Sequence, residues 1–410
     1  MNGVSLAYRR IGFVLDQCSA WNQRIRNPAR TSCRATSPFS FGGDDIDEDE
    51  QIGTPAAVPP PTGTGEAVGA GGADAVPSAS AFPVAGKPLL PPTHLDLASV
   101  LGRLPSTISY SLLDVVLDSG ETIQLPRREL WDVRVQLMAE DGDSRDSEAG
   151  LGSHDVKTGV YEGGFKSWES SVDLVKVLAQ SKSFLNPVGA TPCVIELGCG
   201  TALPSLALFQ WAIEKKQTAS DGTPLSIILA DYNSAVLELV TLPNFLIAWA
   251  RQAASDGSSI PANALSSEGE LEITQEIVVE FKQFLAERQI SLNLFSGAWS
   301  PELVGLMSKP TETTATPSCP KQATIIIGAE TIYSPFALQS FTDTTLALME
   351  QQKALQNSAE LLVGAKKLYF GVGGSLDDFV TKARERGAKV EQVREETEGV
   401  RRGVVRCVLP

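Results

Sequence analysis

The chain has 410 residues, 42% of them hydrophobic and 20% charged, with a formal net charge of −15. That allows one large domain or two small ones, and no apolar run approaches the ~18 residues that suggest a membrane helix. Nucleic acids are bound largely through phosphate neutralisation by Lys and Arg, so the acidity argues against direct nucleic-acid binding; it favours a basic protein partner, and solubility alone explains it equally well.

Residues 1–36 carry six arginines and one acid, Asp16. A mitochondrial transit peptide has this composition, but a mispredicted start or an ordinary disordered tail is the favoured reading. Six of the seven residues 44–50 are acidic, and residues 51–92 are rich in Pro, Gly and Ala, so a solvated, flexible leader is expected over 1–103. Tyr110–Leu117 and Thr122–Leu125 flank Ser119-Gly120 and read as a hairpin. Residues 127–138 suit a short helix or strand, and 141–155 a polar loop, so 104–157 is expected to form an N-terminal extension. From 158 to 410 helices and strands alternate, the signature of an α/β domain. A helix is expected at 167–180, with further helices at 203–215, 233–251, 272–288, 336–350 and 376–386. Strands are expected at 193–198, 225–230, 290–295, 324–329 and 366–372, and a last strand at 404–409 lies antiparallel after a return at 389–394. Polar inserts near 255–270 and 308–322 read as surface loops. Cys193 and Cys199 flank a buried strand and suggest a reducing compartment. The cysteines, with Cys18, Cys33, Cys319 and Cys407, lack metal or disulfide spacing. Only His94 and His154 are present, so zinc chemistry and a Ser-His-Asp triad are poorly supported.

The most informative stretch is Cys193-Val-Ile-Glu-Leu-Gly-Cys-Gly-Thr-Ala-Leu-Pro204. An apolar strand ends in an acid, Gly198-x-Gly200 makes a tight turn, and a helix follows. Glycines let backbone approach a ligand where a Cβ would collide. A dinucleotide fingerprint needs a third glycine where Leu203 stands, and Pro204 removes an N–H that a phosphate would use. The turn therefore suits a nucleoside cofactor without pyrophosphate. S-adenosylmethionine fits, with its sulfonium near Glu196. Asp231 ends the next strand, where an acid accepts hydrogen bonds from both ribose hydroxyls. The spacing from Glu196 exceeds the roughly 20 residues of a compact unit, and the polar stretch 215–224 absorbs the excess. Gly297-Ala298-Trp299 follows a strand and could meet the adenine with backbone and ring, or be an anchored turn. Trp168, at a helix start, serves equally as a wall for the cofactor's methionine part or as core. Glu330 follows the strand ending at Ala329, on the carboxyl edge where open α/β sheets bind ligands. It either orients an acceptor or holds a helix N-terminus. Pro243 should kink a helix or start one, and Asn244 either lines a substrate cleft or, the favoured reading, makes a cap or core hydrogen bond. Gly371-Val-Gly-Gly-Ser375 lacks the Lys of a phosphate loop and reads as a turn beside a groove.

Val160-Tyr-Glu-Gly-Gly-Phe-Lys-Ser-Trp-Glu169, Ile195–Pro204, Asp231-Tyr-Asn233, Thr241-Leu-Pro-Asn244, Ser296-Gly-Ala-Trp299, Glu330-Thr-Ile-Tyr333 and Tyr369-Phe-Gly-Val-Gly-Gly-Ser375 occur in this order. Together with Ser37-Pro-Phe-Ser-Phe-Gly-Gly, this set resembles the eukaryotic histidine protein methyltransferases of fungal type. The resemblance implies a class I, Rossmann-like, seven-stranded adenosylmethionine-dependent methyltransferase over 158–410, with the N-terminal region covering the cofactor. It implies a cofactor set of Ser167, Trp168, Glu169, Ser170, Glu196, Gly198, Gly200, Asp231, Tyr232, Asn233, Gly297, Ala298, Trp299 and Ala329. Glu330 and Tyr333 are implied at the methyl-transfer centre. The implied acceptor is a histidine of a basic large-subunit ribosomal protein, the one called L three. A monomer in cytoplasm or nucleus is expected, without membrane or nucleic-acid contact, and mitochondrial targeting by 1–36 is the weaker reading. Two alternatives stay open: a protein-lysine methyltransferase, which shares Trp168, Asp231 and the Glu330–Tyr333 pattern, and an adenosylmethionine-binding partner of a ribosomal protein that transfers nothing.

Overall fold

A computed structural model describes residues 89–140, 164–214, 224–308, 321–369 and 374–410. In chain order these form β1 (Thr93–Leu95), α1 (Leu97–Leu101), β2 (Thr107–Val116), β3 (Thr122–Arg128), α2 (Leu130–Glu140), α3 (Glu169–Gln180), β4 (Ala190–Leu197), α4 (Leu203–Glu214), β5 (Leu225–Asp231), α5 (Leu242–Ser255), α6 (Ser259–Ala264), β6 (Glu270–Glu272), α7 (Gln275–Glu287), β7 (Ile290–Ser296), α8 (Pro301–Met307), β8 (Lys321–Ala329), α9 (Pro335–Ala354), β9 (Ser358–Lys366), α10 (Leu376–Glu385), β10 (Lys389–Glu396) and β11 (Arg402–Val408). The expected transit-like start, the acidic run, most of the Pro/Gly/Ala linker, the 141–155 loop, most of the 215–224 and 308–322 inserts and Gly371–Gly373 lie outside the described residues.

The main sheet runs β1-β7-β5-β4-β8-β9-β11-β10. Strands β7, β5, β4, β8 and β9 are parallel, and β11 pairs antiparallel with both β9 and β10. The central strands β4 and β8 are apolar almost throughout because both faces are covered: Val194, Ile195, Leu197, Ile325, Ile326 and Ile327 are all buried. Leu303 of α8, Leu338 and Phe341 of α9 and Leu376 and Phe379 of α10 join Ile195, Ile326 and Leu361 in one core cluster, while α3 packs on β9, β11 and α4. Without β1 the order is that of the expected seven-stranded Rossmann-like sheet.

Several expectations need correction. The sheet has an eighth strand, because β1 pairs with the edge strand β7, Thr93 opposite Ser296. Both β1 and α1 fall within 1–103, expected as disordered leader; pairing with the open edge and burial of Val100 and Leu101 order them. The fifth parallel strand is Ser358–Lys366 rather than 366–372. Its buried run Leu361–Ala365 is short and flanked by Glu360 and Lys366-Lys367, which masks it in the sequence. The insert near 255–270 is not simply a loop: it holds α6, and β6 adds to β2 in the sheet β3-β2-β6. Helix α8 was not expected.

The stretch expected as one helix over 233–251 is interrupted. A π-helical turn occupies Leu237–Thr241, and α5 starts at Leu242 with Pro243 in its first turn. Proline has no N–H to give the carbonyl four residues earlier. That carbonyl, Leu239 O, instead accepts from the buried Arg128 guanidinium at 2.9 Å. Asn244 makes the expected core hydrogen bonds: its Oδ1 accepts from Arg128 N at 2.8 Å, and its Nδ2 donates to Thr201 O at 3.1 Å. Thr241 donates its hydroxyl to Gly200 O at 2.6 Å. The π-turn and the start of α5 thus grip the glycine turn.

Candidate active site

The turn after β4 needs its glycines for two reasons. Gly198 and Gly200 have φ of +64° and +51°, the left-handed region that glycine enters without strain. A Cβ on Gly200 would lie 3.1 Å from Gly164 O, and one on Gly198 2.8 Å from the Thr331 methyl and 3.2 Å from the Trp299 ring. Asp231, at the end of β5, ties the turn to its own loop: Gly200 N–H donates to Oδ2 at 2.9 Å and Asn233 N–H to Oδ1 at 3.0 Å. Burial pushes the Asp231 carboxyl up to about 6 against these hydrogen bonds, which lower it. Ser167 and Thr201 share a hydroxyl hydrogen bond of 3.1 Å, joining the loop before α3 to the turn.

Glu196 faces the start of α4. Its Oε2 accepts from the Ser205 N–H at 3.0 Å and from the Ser205 hydroxyl. Full burial raises it to about 8, with Asp231 adding to the rise. Asn233 caps the next short helical turn through Ala235 N–H, and Tyr232 is buried. Around Gly297 the segment just before β1 presses close. A Cβ there would stand 2.7 Å from Pro91 O and Pro92 Cα, and Ala298 N–H donates to Leu90 O at 3.0 Å. The backbone of Gly297-Ala298 therefore meets the strap Leu90–Pro92, and Trp299 remains the group turned to Gly198. Its ring packs edge-on against Phe341.

A second cluster lies where β8 ends. Glu330 has φ +55°, a strained value for a side chain of this kind, and its N–H donates to Gly364 O at 2.9 Å. Ser170 Oγ donates to Glu330 Oε1, and Tyr369 OH donates to Oε2. Burial raises the Glu330 carboxyl; Ser170, Tyr369, Lys366 and Arg402 oppose the rise. The Lys366 ammonium sits 5.7 Å over the Trp168 ring. Glu169, expected near cofactor, pairs with Arg402 at 2.8 Å, beside Asp173 at 2.9 Å. Thr331 bridges the two clusters: it follows Glu330 in the chain and touches Gly198. Ala329 closes β8 opposite Gly364, and Tyr333 lies partly buried beyond it.

No protein-family model matches the chain. The histidine protein methyltransferase 1 of Saccharomyces cerevisiae is 35% identical over 67% of this chain and 74% of its own length. The protein of the same name in Schizosaccharomyces pombe is 31% identical over 76% and 83%, and the rat homologue is 29% identical over 57% and 52%. The chain belongs to the histidine protein methyltransferase family. It is an adenosylmethionine-dependent protein methyltransferase.

For this methyltransferase the residues fit the cofactor. Trp299 Nε1 and Thr331 Oγ1 are buried beside the glycine turn and make no hydrogen bond among the described residues, so polar atoms there await a partner. Asp231 lies beside the same turn, its carboxyl accepting from the Gly200 N–H. Sequence reasoning quoted Thr201, Thr241 and Thr331 within motifs without giving them a role, and it missed Lys366 and the strap Leu90–Pro92 altogether. It also passed over Tyr369, which stood in a motif but was placed inside a strand. A strand ending at Lys366 leaves Tyr369 in a loop that folds back, its hydroxyl accepting from Lys366 N–H at 3.3 Å.

Proposed function

We propose that this methyltransferase methylates a histidine imidazole nitrogen in a protein, with a basic large-subunit ribosomal protein, L three, as acceptor. Family membership supports the histidine, and the net charge of −15 suits a basic partner. The observation that carries the mechanism is Glu330: a carboxylate anchored on two sides at the carboxyl edge of the sheet, next in the chain to Thr331, whose methyl faces Gly198. Asp231, Trp299, Thr331 and the backbone of 198–200 would hold adenosylmethionine, which supplies an electrophilic sulfonium methyl. Neutral imidazole, present above its reference pKa of about 6.5, already carries a lone pair. Each carboxylate oxygen accepts more than one hydrogen bond, so Glu330 retains capacity to accept the imidazole N–H while Ser170 and Tyr369 stay bound. That contact fixes the tautomer, points the other nitrogen's lone pair away from the carboxylate, and receives the N–H as its acidity grows with methylation. Positioning of this kind contributes several kcal/mol.

The test is transfer from labelled adenosylmethionine to purified large ribosomal subunits and free ribosomal proteins, with mass-spectrometric location of the label. Label on a histidine of L three is expected. Label on lysine, or none despite cofactor binding, would overturn the reading. Glu330→Gln should cost about 100-fold or more in rate; full activity with unchanged pH dependence would remove Glu330 from the mechanism.

A further inference from the structure

Three elements converge on one carboxylate. Ser170 comes from the first turn of α3, Tyr369 from the loop after β9, and Glu330 from the end of β8. The two hydroxyls donate to different oxygens of Glu330, so the carboxylate plane is fixed as well as its position. Tyr369 is fixed in turn by the Lys366 N–H that its hydroxyl accepts at 3.3 Å. We infer that Ser170 and Tyr369 are positioning residues, a two-point clamp that orients the Glu330 carboxylate toward the acceptor imidazole. This rests on the role of Glu330 proposed above. It assigns Ser170 to the acceptor side of the site, where the family resemblance implied cofactor.

The clamp also sets protonation. Among the described residues, the charged groups acting on Glu330 are Lys366 of β9 and Arg402 of β11, and Arg402 is itself paired with Glu169 and Asp173 of α3. Burial raises the Glu330 carboxyl, and the hydrogen bonds from the two hydroxyls oppose the rise. Removing either donor leaves Glu330 protonated to higher pH, where it can no longer take up the imidazole proton.

Tyr369→Phe, Ser170→Ala, the double variant and Glu330→Gln would be compared with the parent chain for kcat, KM for acceptor, cofactor binding by calorimetry, and rate against pH. Each single variant is expected to lose 10- to 100-fold in kcat with cofactor binding unchanged, which also shows that it is folded. The acid limb of its pH–rate profile should move to higher pH, the double variant should be no worse than Glu330→Gln, and Ser170→Thr should restore most of the rate. An inactive Glu330→Gln beside unaffected Tyr369→Phe and Ser170→Ala would overturn the clamp alone. A fully active Glu330→Gln would overturn the role of Glu330 and the clamp with it.

Discussion

At the scale of single residues, the two buried acids of the nucleotide half make separable predictions. Asp231 is bound by two backbone N–H groups of the glycine turn and its own loop, and hydrogen bonds to a charged group contribute ~1.5–3 kcal/mol. Asp231→Ala is expected to weaken cofactor binding 10- to 100-fold by calorimetry and abolish transfer; unchanged affinity would detach Asp231 from the cofactor. Glu196 has a folded-state pKa of about 8, above its ordinary value of 4.5. A raised acid stabilises the fold below its unfolded pKa and loses that contribution as pH climbs through the folded one. At ~1.4 kcal/mol per unit the swing reaches a few kcal/mol. Glu196→Gln keeps an acceptor for Ser205 without the charge, so its Tm relative to the parent should be higher at pH 9 than at pH 6. Equal differences at both pH values would show that Glu196 stays ionised in the fold. Glu330 and Asp231 were legible in the sequence because an acid just past an apolar run is a local pattern. The partners of Glu330 were not, since Ser170 and Tyr369 lie 160 and 39 positions away and only the assembled sheet brings them together.

At the scale of elements, the parallel strands were legible wherever both faces are buried, because continuous apolar runs follow from that burial. The misplaced fifth strand shows the limit: Leu361–Ala365 is brief, and Tyr369-Phe-Gly-Val372 imitates a strand better. The break before α5 was partly legible from Pro243, but Arg128, which takes the carbonyl it frees, comes from the N-terminal extension. That pairing predicts that Arg128→Met destabilises the protein by ~1–3 kcal/mol, the cost of an unpaired buried carbonyl, with Asp132 and Gln136 also losing their partner. A urea midpoint equal to the parent's would show that the π-turn stands without it. The eighth strand β1 was not legible at all. Three residues in a Pro-rich setting carry no periodicity, and only the waiting edge of β7 makes them a strand.

At the scale of the whole molecule, the segment from Leu90 to Arg128 joins the Rossmann-like part at several places, among them β1 on β7, the strap Leu90–Pro92 on Gly297-Ala298, β2 on β6, and Arg128 on Leu239 and Asn244. A chain starting at residue 97 is expected to have a Tm several degrees below one starting at residue 89, and weaker cofactor binding because the Trp299 turn loses its backing. Identical melting and affinity would make the strap dispensable. The same register has a consequence for synthesis on the ribosome. Thr93 cannot find its partner until Ser296 has emerged, on the order of 200 residues later, which at ~5–20 residues per second is a wait of roughly 10–40 s. Leu90–Leu95 waits through that interval for the edge of β7, and the rim of β2 waits a shorter one for β6, which is made before β7. This is the window in which a nascent-chain chaperone has an unprotected strand to hold.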